Sequence, residues 1–237
     1  GNDLNASGTA FACRTLTLAV DDTPVAPVVA PSHVGPERAT VARAPLFRQP
    51  SHEANDIAYR VVEKVELGPR LPLVGAPDMA RLGEAVHAIF AADDREADQS
   101  DRLERALSIL QRWNVHEVQA DDVLSACTRL YDHFKGRWPD ARMRREIPIS
   151  ARLGDQLISG RIDLLVEHAA GLAIIDHKSF PGSRDNWDAK AVGYGPQLGL
   201  YAKAAKLAVG HNACDDLFVH MPIVGALLRL EPESKSA

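Results

Sequence analysis

Apolar residues recur at helical spacing in three consecutive segments of the chain after residue 76. Between Pro77 and Ala92 they fall on one arc, and the same spacing returns over Asp101–Trp113 and Asp121–Trp138. One apolar stripe per segment is typical of helices that pack against a core. We therefore predict three amphipathic helices that carry the following apolar positions: Leu82, Val86, Ile89, Phe90, Leu103, Leu107, Leu110, Trp113, Val123, Leu124, Cys127, Leu130, Tyr131 and Phe134.

The pattern changes to that of strands from about residue 144. Three stretches, RREIPISARL, DQLISGRIDLLVEH and GLAIIDHKS, are separated by the short turns GD and HAAG, which predicts an antiparallel meander. A loop over 180–193, a helix over Pro196–Val209 and a closing strand pair over 216–224 and 226–230 follow. This order predicts an α/β (α+β) fold with a mixed central sheet, flanking helices and an N-terminal helical subdomain.

Residues 1–75 differ in composition from the rest of the chain. They are rich in Pro, Ala and Val and have little periodicity, apart from strand-like stretches at Phe11–Val20 and Ala58–Val65. Such a composition is typical of an extended arm or linker, so we place the folded domain at residues 76–237. Because the sequence begins without Met, we expect a fragment of a longer protein.

Composition and charge exclude some functions and leave others open. The formal net charge of −5 gives no global attraction for nucleic acid, so an anionic partner must be held by a local basic patch or by metal ions. Three scattered cysteines supply neither a disulfide framework nor a zinc knuckle, which suits a reducing compartment. No apolar run reaches membrane-spanning length, so we expect a cytoplasmic protein with no membrane partner.

Charged residues interrupt two apolar strands that are predicted to be neighbours. Asp163 lies within GRIDLL, and the next strand ends on Asp176, His177 and Lys178. Because side chains alternate along a strand, Asp176 and Lys178 share a face, and strand pairing can bring Asp163 beside Asp176. Adjacent carboxylates repel unless a proton or a cation lies between them, and such oxygen ligands suit Mg²⁺ or Mn²⁺. The alternative is that both carboxylates mark strand ends, with Lys178 as an ordinary salt-bridge partner.

Five separated motifs occur in a defined order along the chain. They are GEAVHAIF, EIP, GRIDLL, IIDHKS and QLGLYA, beginning at residues 83, 146, 160, 174 and 197. Together they resemble the PD-(D/E)XK nuclease superfamily, specifically its RecB-like branch, over roughly residues 80–230. The resemblance implies a restriction-endonuclease-like core and hydrolysis of DNA phosphodiesters with Mg²⁺, for which Mn²⁺ is expected to substitute.

The resemblance implies a metal site and a catalytic lysine. His87, Asp163 and Asp176 match the metal ligands of the family. His177 matches the position whose backbone carbonyl can join them, so its imidazole is not required. Lys178 matches the lysine that orients the attacking water or stabilises charge developing on the phosphate.

The resemblance also extends to the following helix and to the first core strand. Gln197 and Tyr201 match a motif that faces the DNA and the active site, and their spacing of four places them on one helix face. Glu146 matches the acidic residue of the first core strand, for which we assign no role. The expected catalytic set is therefore Lys178, Asp176, Asp163, Gln197 and Tyr201.

Several of these residues have simpler interpretations. For His87, which lies beside small residues such as Gly83, the alternative to a metal ligand is a histidine satisfied by a core hydrogen bond. The basic run RMRRE at residues 142–146, together with Arg184 and Lys190 in the later loop, can contact backbone phosphates. Basic runs of this kind are more often solvated surface.

RecB-like nucleases often form the C-terminal part of a superfamily 1 helicase such as RecB or AddA. The sequence holds no GxxxxGK[ST] motif, so the resemblance implies a helicase motor elsewhere in the parent chain. It also implies DNA with single-stranded ends as substrate, an AddB-like or RecC-like partner subunit, and double-strand break repair. Three scattered cysteines cannot form the iron–sulfur cluster of AddB-type enzymes, which favours RecB or AddA. The alternatives are a non-catalytic nuclease-like module that binds DNA or a partner, and a free-standing nuclease.

Overall fold

A computed structural model of the protein describes residues 3–6, 9–12, 47–48, 50, 57–209 and 216–233. The chain divides into two units, residues 1–43 and 44–237. In the first unit, β1 (Asp3–Ala6) and β2 (Thr9–Ala12) pair in antiparallel orientation. The predicted strand Phe11–Val20 lies mostly outside the described residues.

The second unit is built around one mixed sheet with helices on both faces. Within the described residues the sheet has seven strands. Its elements in chain order are β3 (Phe47–Arg48), β4 (Tyr59–Glu66), α1 (Met79–Ala92), α2 (Gln99–Arg112), α3 (Ala120–Arg137), β5 (Arg142–Leu153), β6 (Gln156–His168), β7 (Gly171–His177), α4 (Trp187–Val192), α5 (Gly195–Val209), β8 (Asp216–Met221) and β9 (Ala226–Pro232).

The sheet topology confirms the predicted meander and fold class. The strand order is β3–β6–β7–β8–β9–β4, with β5 paired to β6. Strands β5, β6 and β7 are successively antiparallel, whereas β8 runs parallel to β7 because α4 and α5 form a crossover between them. The closing pair β8 and β9 is antiparallel. The fold is the predicted mixed α/β architecture, with helices packed on both faces of the sheet.

Strand β4 belongs to the sheet, although its residues fall within the predicted arm. It pairs with β9 in antiparallel orientation from Tyr59 to Glu66, so the structural unit extends upstream of residue 76. The ring of Tyr59 packs against Gly195 and Gly199 of α5, where a β-carbon at either glycine would collide with it. The strand-like stretch predicted at Ala58–Val65 is therefore β4, and only the Pro- and Ala-rich composition that precedes it placed this stretch in the arm.

Two hydrophobic clusters lie on opposite faces of the sheet. Helices α1–α3 cover one face, where Val86 and Phe134 pack with Ile175. Helix α5 covers the other face, where Leu198 packs with Ile174 and its neighbours. The alternation of Ile174 and Ile175 between the two clusters is the period of a strand buried on both sides, and it explains the continuous apolar sequence of β7.

Strands β5 and β6 exchange faces midway along their length. Met143 packs on the α1–α3 side, whereas Ile149 packs on the α5 side although both positions are odd. On β6, Leu164 packs on the α1–α3 side and Ile162 packs on the α5 side, although both positions are even. The exchange occurs at Glu146, whose φ of 53° is left-handed. This backbone conformation reverses which face of the sheet the following side chains point to. The outer half of this hairpin therefore wraps around α5.

The segment predicted as a loop over residues 180–193 contains a short helix, α4. Trp187 begins this helix and is only 7% exposed, packing in the cluster on the α5 side. Burial of one large aromatic ring orders a six-residue helix that has no apolar periodicity of its own.

Candidate active site

The carboxylates Asp163 and Asp176 meet where β6 and β7 stop pairing. Leu164 pairs with Ile175 in register, and Asp163 and Asp176 are the next residues on the two strands. Asp163 Oδ2 accepts a hydrogen bond from the His177 amide at 2.7 Å. Burial, followed by the nearby charge of Asp176, raises the pKa of Asp163 to about 6. The predicted juxtaposition of the two carboxylates is therefore present.

Asp176 is buried at 2% exposure, and both of its oxygens have polar neighbours. Oδ1 accepts a hydrogen bond of 2.8 Å from Gln197 Nε2. Oδ2 lies 2.7 Å from Lys178 Nζ, an ion-pair distance. Burial raises the pKa of Asp176, and the charge of Lys178 offsets part of that rise. This carboxylate therefore joins a strand end, a lysine and helix α5 in one network.

Lys178 is fixed from both its backbone and its side chain. Its amide donates to the His220 carbonyl at 2.8 Å, which continues the β7–β8 ladder past the last strand residue. Burial by itself lowers the pKa of Lys178, but the charges of Asp176 and Asp163 outweigh burial and raise it. The ammonium is therefore charged at neutral pH and directed into the carboxylate pair.

His87 reaches the site because helix α1 lies close to the end of β7. A β-carbon added at Gly83 would lie 3.0 Å from Ser179 Oγ, so the small residue permits the approach. His87 Nε2 lies 2.8 Å from the His177 carbonyl oxygen and 3.6 Å from Asp163 Oδ2. Asp78 caps the start of α1, accepting from the amides of Ala80 and Arg81, and so fixes where the helix begins.

Glu146 completes the site from β5. The β5–β6 pairs on either side of it place Glu146 opposite Asp163. One ligand atom each from His87, Glu146 and Asp163 lie within 4.8 Å of one another. Glu146 also accepts a hydrogen bond of 3.2 Å from Arg161. The left-handed backbone at Glu146 is thus located at the site itself, which is where such strain is typically retained.

Gln197 and Tyr201 share the face of α5 that looks onto the site. Gln197 donates a hydrogen bond to Asp176, and the side chains of Tyr201 and Gln197 are hydrogen-bonded to each other. The Tyr201 ring packs over Gly160 of β6, where a β-carbon would lie 2.9 Å from the ring. Burial raises the pKa of Tyr201, so its hydroxyl stays protonated at neutral pH. The two residues hold Asp176 against the helix.

The His177 imidazole points away from the carboxylates and into the core. It packs against Phe90, and its Nδ1 lies 3.0 Å from His220 Nδ1. Burial, with His220 as the next cause, holds the pKa of His177 well below its usual range. Both rings are neutral at physiological pH, with one Nδ1 donating to the other. The His177 carbonyl contacts His87 Nε2, and the two rings meet edge to face with centroids 5.4 Å apart.

The donor set is suitable for a divalent cation. It offers an imidazole nitrogen, carboxylate oxygens and a backbone carbonyl, and oxygen-rich sets of this kind bind Mg²⁺ or Mn²⁺. Adjacent ligands of an octahedral Mg²⁺ lie about 3 Å apart, which is comparable to the 2.8 Å between His87 Nε2 and the His177 carbonyl. These residues therefore fit the metal that the fold implies.

The predicted metal ligands are His87, Asp163, Asp176 and the His177 carbonyl. The side-chain cluster that could hold an ion contains Glu146 beside His87 and Asp163, whereas the oxygens of Asp176 are directed to Gln197 and Lys178. The sequence contains a signal for Glu146: counting back from the turn between β5 and β6 places it opposite Asp163. The contact between the His220 and His177 rings has no comparable signal in the sequence.

The two basic residues predicted in the later loop have partners in the fold. Arg184 Nη2 lies 2.6 Å from a carboxylate oxygen of Glu66. Lys190 Nζ lies over the rings of Phe180 and Tyr194, at 5.8 and 5.3 Å from their centroids. Neither residue is part of the carboxylate network described above.

Comparison with known protein families identifies the superfamily of the chain. The family model of the PD-(D/E)XK nuclease superfamily matches residues 56–235, and the chain belongs to this superfamily. A search of curated proteins gives no match. No helix in the described ranges is long and apolar enough to cross a membrane.

Proposed function

We propose that the chain is a Mg²⁺-dependent nuclease that hydrolyses DNA phosphodiester bonds. The observation that carries the proposal is the convergence of His87, Glu146 and Asp163 next to the Asp176–Lys178 ion pair. Membership of the PD-(D/E)XK superfamily, whose members usually cleave nucleic acid with divalent metal ions, supports the same chemistry. A non-catalytic module has no need for a partly buried lysine charged against two carboxylates.

Each residue of the site has a separable role in this proposal. His87, Glu146, Asp163 and the His177 carbonyl hold the ion, which when bound supplies Lewis-acid polarisation and a water of lowered pKa. Lys178 presents a preorganised positive charge to the phosphate oxygens, where negative charge accumulates during hydrolysis.

Asp176 and α5 act as the support of this lysine. Asp176 holds Lys178 Nζ at 2.7 Å, and Gln197 fixes the other oxygen of that carboxylate. Tyr201 fixes Gln197 and covers Gly160. The proposed catalytic set therefore remains Lys178, Asp176, Asp163, Gln197 and Tyr201, with Glu146 added as a ligand.

We further propose that the nuclease belongs to the RecB or AddA type and acts on the single-stranded ends of broken DNA. The order of the five motifs supports this branch, as does a cysteine pattern that cannot form an iron–sulfur cluster. The proposal includes the chain upstream of β4 as a connecting arm, a helicase motor in the parent chain, an AddB-like or RecC-like subunit, and a cytoplasmic location.

Cleavage of a labelled linear single strand tests the proposed activity. The parental chain is expected to cleave with Mg²⁺ or Mn²⁺ and to be inactive with EDTA, whereas Asp163→Ala loses cleavage because a ligand is removed. Asp155→Ala, in the exposed turn between β5 and β6, is the matched control and should cleave normally. Equal cleavage by the parent and Asp163→Ala would rule out this site as the source of activity.

A further inference from the structure

A charged groove runs beside the first residues of β5, outside the carboxylate site. Its walls come from the loop after α1, from α3 and from β5. The groove encloses about 490 Å³, the size of a small-molecule pocket, but its lining is charged rather than apolar. Its cationic side chains are Arg95, Lys135, Arg142, Arg144 and Arg145.

Positive charge predominates in this groove although the whole chain is negative. Two acidic residues, Asp94 and Glu96, line it against five basic ones. Asp94 accepts a hydrogen bond from the Glu96 amide, which occupies one of its oxygens. Arg144 forms an exposed ion pair of 2.9 Å with Glu167. Arg142 has no carboxylate partner in the described part of the chain, so its charge is available to a ligand.

Tyr131 gives the groove an aromatic surface between two cations. Arg95 lies over its ring at 5.2 Å from the centroid, and Lys135 lies at 6.0 Å. The carbonyls of Pro139 and Ala141 accept from Lys135 Nζ at 3.3 and 2.8 Å, so this ammonium is held in place by the backbone. An aromatic ring flanked by fixed cations is the combination with which proteins bind single-stranded nucleic acid.

The groove leads to the candidate active site. Arg145 directly precedes Glu146, and Arg142 lies about 13 Å from Glu146 along an extended strand. A smaller cavity shares Tyr131, Met143 and Arg145 with the groove and extends into the core on the α1–α3 side of the sheet. A nucleic-acid strand that lies in the groove therefore follows β5 toward Glu146.

We propose that this groove binds single-stranded nucleic acid, with Arg142 and Arg144 on backbone phosphates and one unstacked base on Tyr131. The inference rests on the proposed nuclease function and identifies the substrate path into that site. A single strand is favoured over a duplex because the bases of a duplex are stacked on one another and do not present a face to Tyr131.

Salt-dependent binding of a fluorescent oligothymidine tests the phosphate contacts. The assay is run in EDTA, so the strand is not cleaved, and compares the parental chain with an Arg142→Gln/Arg144→Gln variant. Both arginines are exposed, so the fold should not depend on them. The slope of log K against log salt concentration should become shallower by about 1.4, or about 0.7 per lost phosphate contact. An unchanged slope and affinity would overturn the proposal.

Two matched variants make the binding test specific. Arg152→Gln removes an exposed arginine from the far end of the same strand and should leave the slope unchanged. Tyr131→Leu should weaken binding about tenfold with the slope unchanged, and Tyr131→Phe should restore it, because stacking needs the ring and not the hydroxyl. Displacement of the oligonucleotide by polyglutamate at equal charge concentration would overturn the nucleic-acid assignment in favour of a general anion surface.

A parallel cleavage assay separates this inference from the proposed function. If the parent cleaves, the double arginine variant should show a raised KM with an unchanged kcat, since the carboxylate site is intact. If the parent binds through the groove but does not cleave with Mg²⁺, the groove is supported and the proposed activity fails. If the parent cleaves and the arginine variant has the parental KM, the groove proposal fails alone.

Discussion

At the scale of single residues, Asp163 is a buried carboxyl whose surroundings disfavour its ionisation. Its folded-state pKa of about 6 lies above the ordinary value of 3.8. The folded state then holds the proton more tightly than the unfolded state, so the stabilisation is full below the unfolded pKa and is lost as pH rises through 6. A bound divalent cation relieves the same repulsion without a proton.

We therefore expect Asp163→Asn to stabilise the metal-free protein above pH 7 relative to the parent. Buried His177 and His220, whose pKa values are lowered, act in the opposite direction as pH falls, so only the difference between the two proteins isolates Asp163. The difference in Tm should shrink as pH falls from about 7 to about 4. Added Mg²⁺ should raise the Tm of the parent alone, and identical pH profiles for the two proteins would contradict this explanation.

Glu146 combines a proposed ligand role with a left-handed backbone, and its two contributions can be separated. A non-glycine residue at φ 53° costs about 1–2 kcal/mol relative to ordinary backbone. We expect Glu146→Gly to be more stable than Glu146→Ala by about 1 kcal/mol, since only glycine adopts this φ freely. Both variants should bind Mn²⁺ more weakly than the parent. Denaturant unfolding and calorimetry measure the two effects, and an alanine variant as stable as the glycine variant would count against strain.

The residue identities at the site were largely accessible from the sequence, whereas their grouping was not. The resemblance of the five motifs implies His87, Asp163, Asp176 and Lys178, and strand alternation limits which of the strand charges can meet. The sequence alone does not show that the Asp176 oxygens contact Gln197 and Lys178, or that Glu146 lies beside Asp163. That choice depends on side-chain rotamers and on one unusual φ, neither of which a pattern of residue types encodes.

At the scale of elements, the approach of α1 to the end of β7 decides whether His87 reaches the carboxylates. The approach is tight at Gly83, where an added β-carbon would contact Ser179 Oγ at 3.0 Å and Ser179 Cβ at 3.1 Å. A larger side chain must push the helix outward or displace Ser179. The sequence contains this glycine within GEAVHAIF, but the contact that requires it appears only in the folded chain.

Gly83→Val is expected to weaken Mn²⁺ binding about tenfold and to lower cleavage in proportion, because His87 moves with its helix. Gly136→Val is the matched control, since Gly136 lies in α3 with no atom within 4 Å of an added β-carbon. The two substitutions carry the same helix-propensity change. Isothermal titration of both variants checks the prediction, and equal Mn²⁺ affinity for the two would show that α1 does not position the histidine.

At the scale of the whole molecule, periodicity predicts the layers but not where the sheet ends or turns over. Helices α1–α3 and strands β5–β7 were predictable because each carries its own local pattern. The exchange of faces at Glu146 and the pairing of β4 with β9 depend on contacts between distant parts of the chain. Both features shape the surface around the site, since the first wraps the hairpin around α5 and the second packs Tyr59 under the same helix.

The central claim is that the site around Asp163, Asp176 and Lys178 catalyses hydrolysis and does not only bind a metal ion or DNA. The substitution Lys178→Ala tests this claim most directly. One preparation of this variant is titrated with Mn²⁺ by calorimetry and assayed for cleavage of linear single-stranded DNA, with Lys203→Ala on the exposed face of α5 as the control. Mn²⁺ binding should be retained, whereas the cleavage rate should fall by a factor on the order of 100 or more, as for loss of one preorganised charge. Cleavage at the parental rate by Lys178→Ala would show that the lysine is a structural ion-pair partner and would contradict the catalytic assignment.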